Sequence, residues 1–344
     1  MLMLASLVGL MMAGAAAVVT FDDDDFATGE DEEAELPEAD EPVSDADAAQ
    51  NLVDLVGEDI NADLSIDATA EDAPIQGVSD QILSGNTQNE VIDGDSGDDQ
   101  INGYAGDDTL AGGAGEDHLY GNDGDDVLFG DDGDDLMHGE EGEDEMSGGE
   151  GDDSMFGHFG DDVMSGQQGA DSLHGGFGDD TLFGGMGDDA LHGGYGDDFL
   201  KAGGNEDTLF GGDGNDLLHG MNQSTDYLNG GDGDDALFAG HSDILTGGDG
   251  QDSFYLSDWQ SGSDNSITIM DFNASEDQLI FMMDGEDSEN PELEIRTDPQ
   301  TPHQSGLFLE GEQVALINSV NGISSDDITY IPQQGEAVLQ ALQS

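Results

Sequence analysis

A nine-residue period governs the middle of this 344-residue chain. Twelve consecutive units run in strict phase from Gly94 to Lys201, among them GYAGDDTLA (103–111), GNDGDDVLF (121–129) and GGYGDDFLK (193–201). Six looser units carry the pattern to Tyr255, with one residue gained in 220–229 and one lost in 239–246. A degenerate unit, 84–93, precedes them. Two columns are invariant through all eighteen units from 94 to 255: the sixth position is Asp and the eighth is apolar. A strict period of this length is the signature of a solenoid, in which each unit is too small to bury a core alone.

The unit divides into a Gly-rich turn of six residues and an extended piece of three. Gly at the first and fourth positions suits the positive φ angles of a tight turn. The last three residues alternate out, in, out, with the eighth pointing inward. A three-residue strand is unstable by itself. Pairing two units into an 18-residue coil and stacking the coils builds two parallel sheets around a thin core made of the eighth-position column. The expected fold is therefore all-β: a right-handed parallel β-roll of nonapeptide repeats.

Stacking also aligns the acidic turns, so that Asp99 meets Asp117 and Asp108 meets Asp126. Asp and Glu number 83 against one Lys and one Arg, a formal net charge of −81. Protein cations cannot neutralise such columns, and bare carboxylates in a partly desolvated turn repel strongly. A hard cation taking carboxylate and carbonyl oxygens reverses the sign, and Ca²⁺ suits flexible all-protein oxygen ligation better than Mg²⁺. Metal binding then becomes folding energy. The same charge excludes nucleic acid as a partner, since no basic surface exists to neutralise phosphates. Cys is absent, which removes disulfides, thiol chemistry and Cys-ligated metal sites.

The units GGMGDDALH (184–192) and GGDGNDLLH (211–219) match G-G-x-G-x-D-x-U-x position by position. The chain thus resembles the RTX, or haemolysin-type calcium-binding repeat, proteins over 84–255. The resemblance implies a calcium-loaded β-roll, export by type I secretion machinery, and side-chain ligation by the sixth-position residues. Here these are Asp99, Asp108, Asp117, Asp126, Asp135, Asp144, Asp153, Asp162, Asp171, Asp180, Asp189, Asp198, Asp207, Asp216, Asp226, Asp235, Asp243 and Asp252. Asn205, Ala202 and Ala239 depart from the glycine columns, and the 220–229 and 239–246 units break phase. About ten ions among the twelve regular units is the expectation.

Three other segments flank the roll. Residues 1–19 carry no charge and read either as a cleaved export signal or as an uncleaved membrane anchor. Residues 20–80 hold 22 acidic side chains and no basic one, the composition of a disordered linker or stalk. Residues 256–344 lose the glycine period and show β-type runs at 266–270, 278–282, 307–309, 313–318 and 328–331. The run IMDFNASEDQLIF (269–281) resembles the C-terminal cap that follows the repeats in serralysin-type proteases. An open roll end needs such a cap, because it is an exposed edge with a raw core. The tail Ala337–Leu342 lies where that family's secretion signal would be.

The chain has no His-Glu-x-x-His, no G-x-S-x-G elbow and no Walker loop. The expected function is a non-enzymatic, extracellular calcium-binding protein, either free or tethered to the membrane through 1–19, that folds on extracellular Ca²⁺ and serves a cell-surface or matrix partner. The competing reading is the secretion and folding module of a serralysin-like hydrolase or RTX toxin. One further pattern stands out. The ninth positions of alternate units read Tyr120, His138, Phe156, His174, His192 and Phe210. They fit cross-strand ring stacking, or a docking stripe with a transition-metal site between His174 and His192.

Overall fold

The structure is a computed structural model and describes residues 80–240, 242–257, 266–283, 293–309 and 311–332. The apolar segment 1–19, nearly all of the acidic segment 20–80, and the tail Ala337–Leu342 lie outside the described residues. Among those described, no helix is long and apolar enough to cross a membrane. Among the described residues the regular elements are strands, apart from a 3₁₀ turn at Ser325–Asp327.

Among the described residues two sheets of 14 and 12 strands face each other, and successive strands alternate between them from Ile82–Ser84 to Gln278–Met283. Pairing within each sheet is parallel through the repeats, at an interval of 18 residues in the regular units: Leu110 pairs Leu128, and Leu173 pairs Leu191. The two-unit coil and the β-roll are thus present. All eighteen eighth-position side chains, from Ile101 to Phe254, are buried. Four consecutive methionines, Met137, Met146, Met155 and Met164, fill the column's middle; their unbranched chains adapt to a narrow gap.

Two local expectations are corrected. Strands such as Thr109–Ala114 are six residues long, running from the seventh position of one unit through the third of the next. The turn is consequently three residues, not six. The first-position Gly also does not take a positive φ; the second and fourth positions do. Gly133, at a fourth position, has φ 143°, and a Cβ there would lie 1.7 Å from the Gly115 carbonyl oxygen in the stacked turn. Gly94, at a first position, is needed for space instead. A Cβ on it would sit 2.4 Å from Asp99 Oδ2 and 2.4 Å from the Gly112 carbonyl oxygen.

Beyond the repeats, Ile267–Phe272 and Gln278–Met283 each add one more parallel strand to the two sheets. Ile328–Pro332 ends the smaller sheet. The larger sheet ends in the antiparallel strands Glu312–Ser319, Gln304–Leu309 and Leu293–Thr297. The last of these lies outside the β-type runs of the sequence: LEIRT carries a Glu and an Arg and forms an exposed sheet edge.

Candidate metal centre

Each sixth-position Asp closes its turn and faces inward. All eighteen are buried, none more than 3% exposed. In each, Oδ1 accepts a hydrogen bond from the backbone N–H of the equivalent residue one coil earlier. Asp117 accepts from Asp99 at 2.7 Å, and Asp162 accepts from Asp144 at 2.8 Å. The fifth position, to which the nine-residue pattern alone assigns no role, runs a second ladder in the opposite sense. Asp152 and Asp161 accept at Oδ1 from the N–H groups of Ala170 and Asp179, one coil later, each at 2.8 Å. The enrichment of Asp and Glu at that position was the available signal.

Oδ2 has no such donor. In fifteen of the eighteen, from Asp99 through Asp216 together with Asp235, it is buried without a hydrogen-bond partner. A buried, unpaired carboxylate oxygen is strongly unfavourable. Among the described residues no cationic side chain pairs with these columns; Arg296 pairs with Glu294 in the cap, at 2.5 Å. Like charges one strand spacing apart, about 4.8 Å, repel by roughly 3–4 kcal/mol at an effective dielectric near 20. Burial, reinforced by neighbouring carboxylates, raises the pKa values accordingly. Asp144, Asp153 and Asp180 are pushed up to about 8, and Asp162, Asp171, Asp198 and Asp216 to about 7. The hydrogen bond at Oδ1 only partly offsets this.

The irregular turns are finished differently. In the lengthened unit, Asn222 Nδ2 donates to Asp226 Oδ2 at 2.8 Å. In the shortened unit, the Gly240 N–H donates to Asp243 Oδ2 at 2.7 Å. Both ends of the ladder follow suit. Glu90 replaces Asp in the degenerate first unit and accepts from the Asn86 N–H at 2.8 Å. At the other end Asp277 accepts from the N–H groups of Asp252 and Asn273, while Asp271 accepts from those of Gly247 and Gly248. Asp271 and Asp277 belong to the 269–281 run singled out in the sequence. That run closes the ladder with protein donors.

Orphaned carboxylate oxygens beside backbone carbonyls form an all-oxygen, anionic lining, which fits a hard cation. A family model for the RTX calcium-binding nonapeptide repeat matches in overlapping blocks from 84 to 254. Residues 84–254 are RTX calcium-binding repeats. Repeats of this family bind calcium, and the parallel solenoid is the fold that goes with them. The chain is also similar, at 17% identity and a TM-score of 0.14, to the crystal structure of extracellular lipase LipA from Serratia marcescens. That alignment covers 59% of this chain and 39% of the lipase. No curated protein matches the sequence.

The ring stripe is a stacked ladder. Tyr120, His138, Phe156 and His174 follow one another with centroids 4.9–5.1 Å apart and nearly parallel planes. His174 and His192 stand 5.7 Å apart and tilted by 43°. The three-donor cluster among the described residues lies elsewhere, at His138, Glu140 and His158.

Proposed function

We propose that this chain is an exported calcium-binding protein whose RTX roll folds on meeting calcium, and that the folded roll acts as a structural or interaction element at a surface or in a matrix. The observation that carries this reading is the set of fifteen buried Oδ2 atoms without a donor. Asp99 through Asp216 and Asp235 would hold the ions, together with turn carbonyls. Calcium supplies the positive charge that the chain lacks. Asp226 and Asp243, already satisfied by Asn222 and Gly240, would hold calcium weakly or not at all. About ten or more ions per chain follow. Low cytosolic calcium keeps the chain extended and fit for export; millimolar calcium outside then drives folding. Type I secretion machinery is the partner that the repeat family and the serralysin-like 269–281 run suggest.

The reading also holds the protein to be non-enzymatic. The cap run already has a structural task in closing the ladder. Limited proteolysis tests the calcium dependence: a fragment containing 80–332 resists digestion in calcium and is degraded in chelator. Resistance in both conditions would overturn the reading. Fractionating the producing cells tests export, with the intact chain expected in the medium or the envelope and not in the cytosol. Turnover of casein or lipid esters by the calcium-loaded chain, abolished by one point substitution, would replace this reading with that of a hydrolase.

A further inference from the structure

One face of the 14-stranded sheet carries a donor set of different chemistry from the turns. Strands Leu136–Glu141 and Ser154–Phe159 pair in parallel, with His138 opposite Phe156 and Glu140 opposite His158. The ring of His138 is held between Tyr120 and Phe156, at 5.1 and 4.9 Å. His158, which is two residues beyond Phe156, turns back over His138 with its ring centroid 5.2 Å away. His138 Nδ1 and His158 Nε2 are 2.9 Å apart. Glu140 Oε1 lies 3.9 Å from the same His158 nitrogen. The three ligand atoms fall within 4.8 Å of one another, and all three residues are partly exposed.

We propose that His138, Glu140 and His158 form a binding site for a transition-metal ion of the zinc or copper class, distinct from the calcium turns. Two imidazole nitrogens and one carboxylate oxygen suit such ions, whereas calcium and magnesium favour oxygen alone. With metal–nitrogen bonds of 2.0–2.1 Å at a near-tetrahedral angle, the two nitrogens would stand about 3.3 Å apart, only about 0.4 Å wider than they are. The Glu140 carboxylate, 3.9 Å from one nitrogen, would close by about 0.6 Å to reach the same tetrahedral spacing. The stacked neighbours fix the His138 ring before any ion arrives, so little side-chain entropy is lost on binding. Partial exposure leaves a fourth position to water. The formal net charge of −81 concentrates divalent cations near the surface.

The test is titration of the calcium-saturated full-length chain with Zn²⁺ by calorimetry, and with Co²⁺ by visible absorption. One saturable equivalent is expected in the presence of excess calcium, with ligand-field bands showing nitrogen ligation of Co²⁺. His158→Gln and His138→Gln should each weaken it by more than the roughly 10–100-fold that loss of an outer-sphere partner costs. His174→Gln should leave it unchanged. Circular dichroism in calcium should be the same for all variants, since these side chains lie outside the core column. Absence of a saturable equivalent in the unsubstituted chain would overturn the proposal. So would binding that survives both substitutions, or that disappears with His174.

Discussion

At the scale of single residues, the repeat is organised by one conflict. The sixth-position carboxylate must be buried to close the turn, yet its Oδ2 finds no protein donor. Asp162→Asn isolates that conflict. The amide keeps an oxygen to accept the Asp144 N–H and removes the charge. The variant should lose about one calcium equivalent and retain more β structure than the parent when metal-free. Calcium counting by dialysis and circular dichroism check this; unchanged stoichiometry would contradict it. Gly133→Ala tests the backbone side. A Cβ at φ 143°, 1.7 Å from a carbonyl, should cost more than about 2 kcal/mol in urea unfolding of the calcium-loaded chain. The invariant Asp column and the recurrent glycine columns were plain in the sequence. What the first glycine is for was not, because its role is to leave room for a carboxylate in its own unit, and that is visible only once the turn is closed.

At the scale of elements, the 18-residue coil was legible because parallel stacking repeats one environment, so the same side chain recurs at every eighth position. The longer strands and shorter turns were not legible. The second and third positions extend the ladder with residues of any type, from Glu140 and Glu141 to Gly194 and Tyr195. The zinc-class cluster escaped for a related reason: it joins a ninth position to second positions, one of them across the diagonal, and no single column of the period reveals it. The irregular turns, marked as breaks in phase, proved to be places where the protein supplies its own donor. Asn222→Ala removes one. It should destabilise the lengthened turn by about 1–3 kcal/mol, read as faster hydrogen exchange at 220–229 with the other turns unchanged. Uniform exchange throughout the roll would contradict the assignment.

At the scale of the whole described unit, the buried carboxylates make stability depend on protons as well as calcium. From Asp126 onward their folded, metal-free pKa values are raised to between about 6 and about 8, above the unfolded value near 3.9. A group raised on folding contributes stability that is complete below its unfolded pKa and is lost as pH climbs through its folded pKa. Metal-stripped protein should therefore gain β signal on acidification from pH 8 towards pH 4, and calcium affinity should fall over the same interval. A metal-free β signal that is flat with pH, or that grows towards alkali, would contradict this. The central claim is that calcium completes the turns. The most direct measurement is a calcium titration of metal-stripped protein at pH 8, followed by far-ultraviolet circular dichroism, with magnesium as control. A cooperative rise from a largely unfolded spectrum to a β spectrum, with magnesium far less effective, is the expected result. A β spectrum already complete before calcium is added, or an equal response to magnesium, would contradict it.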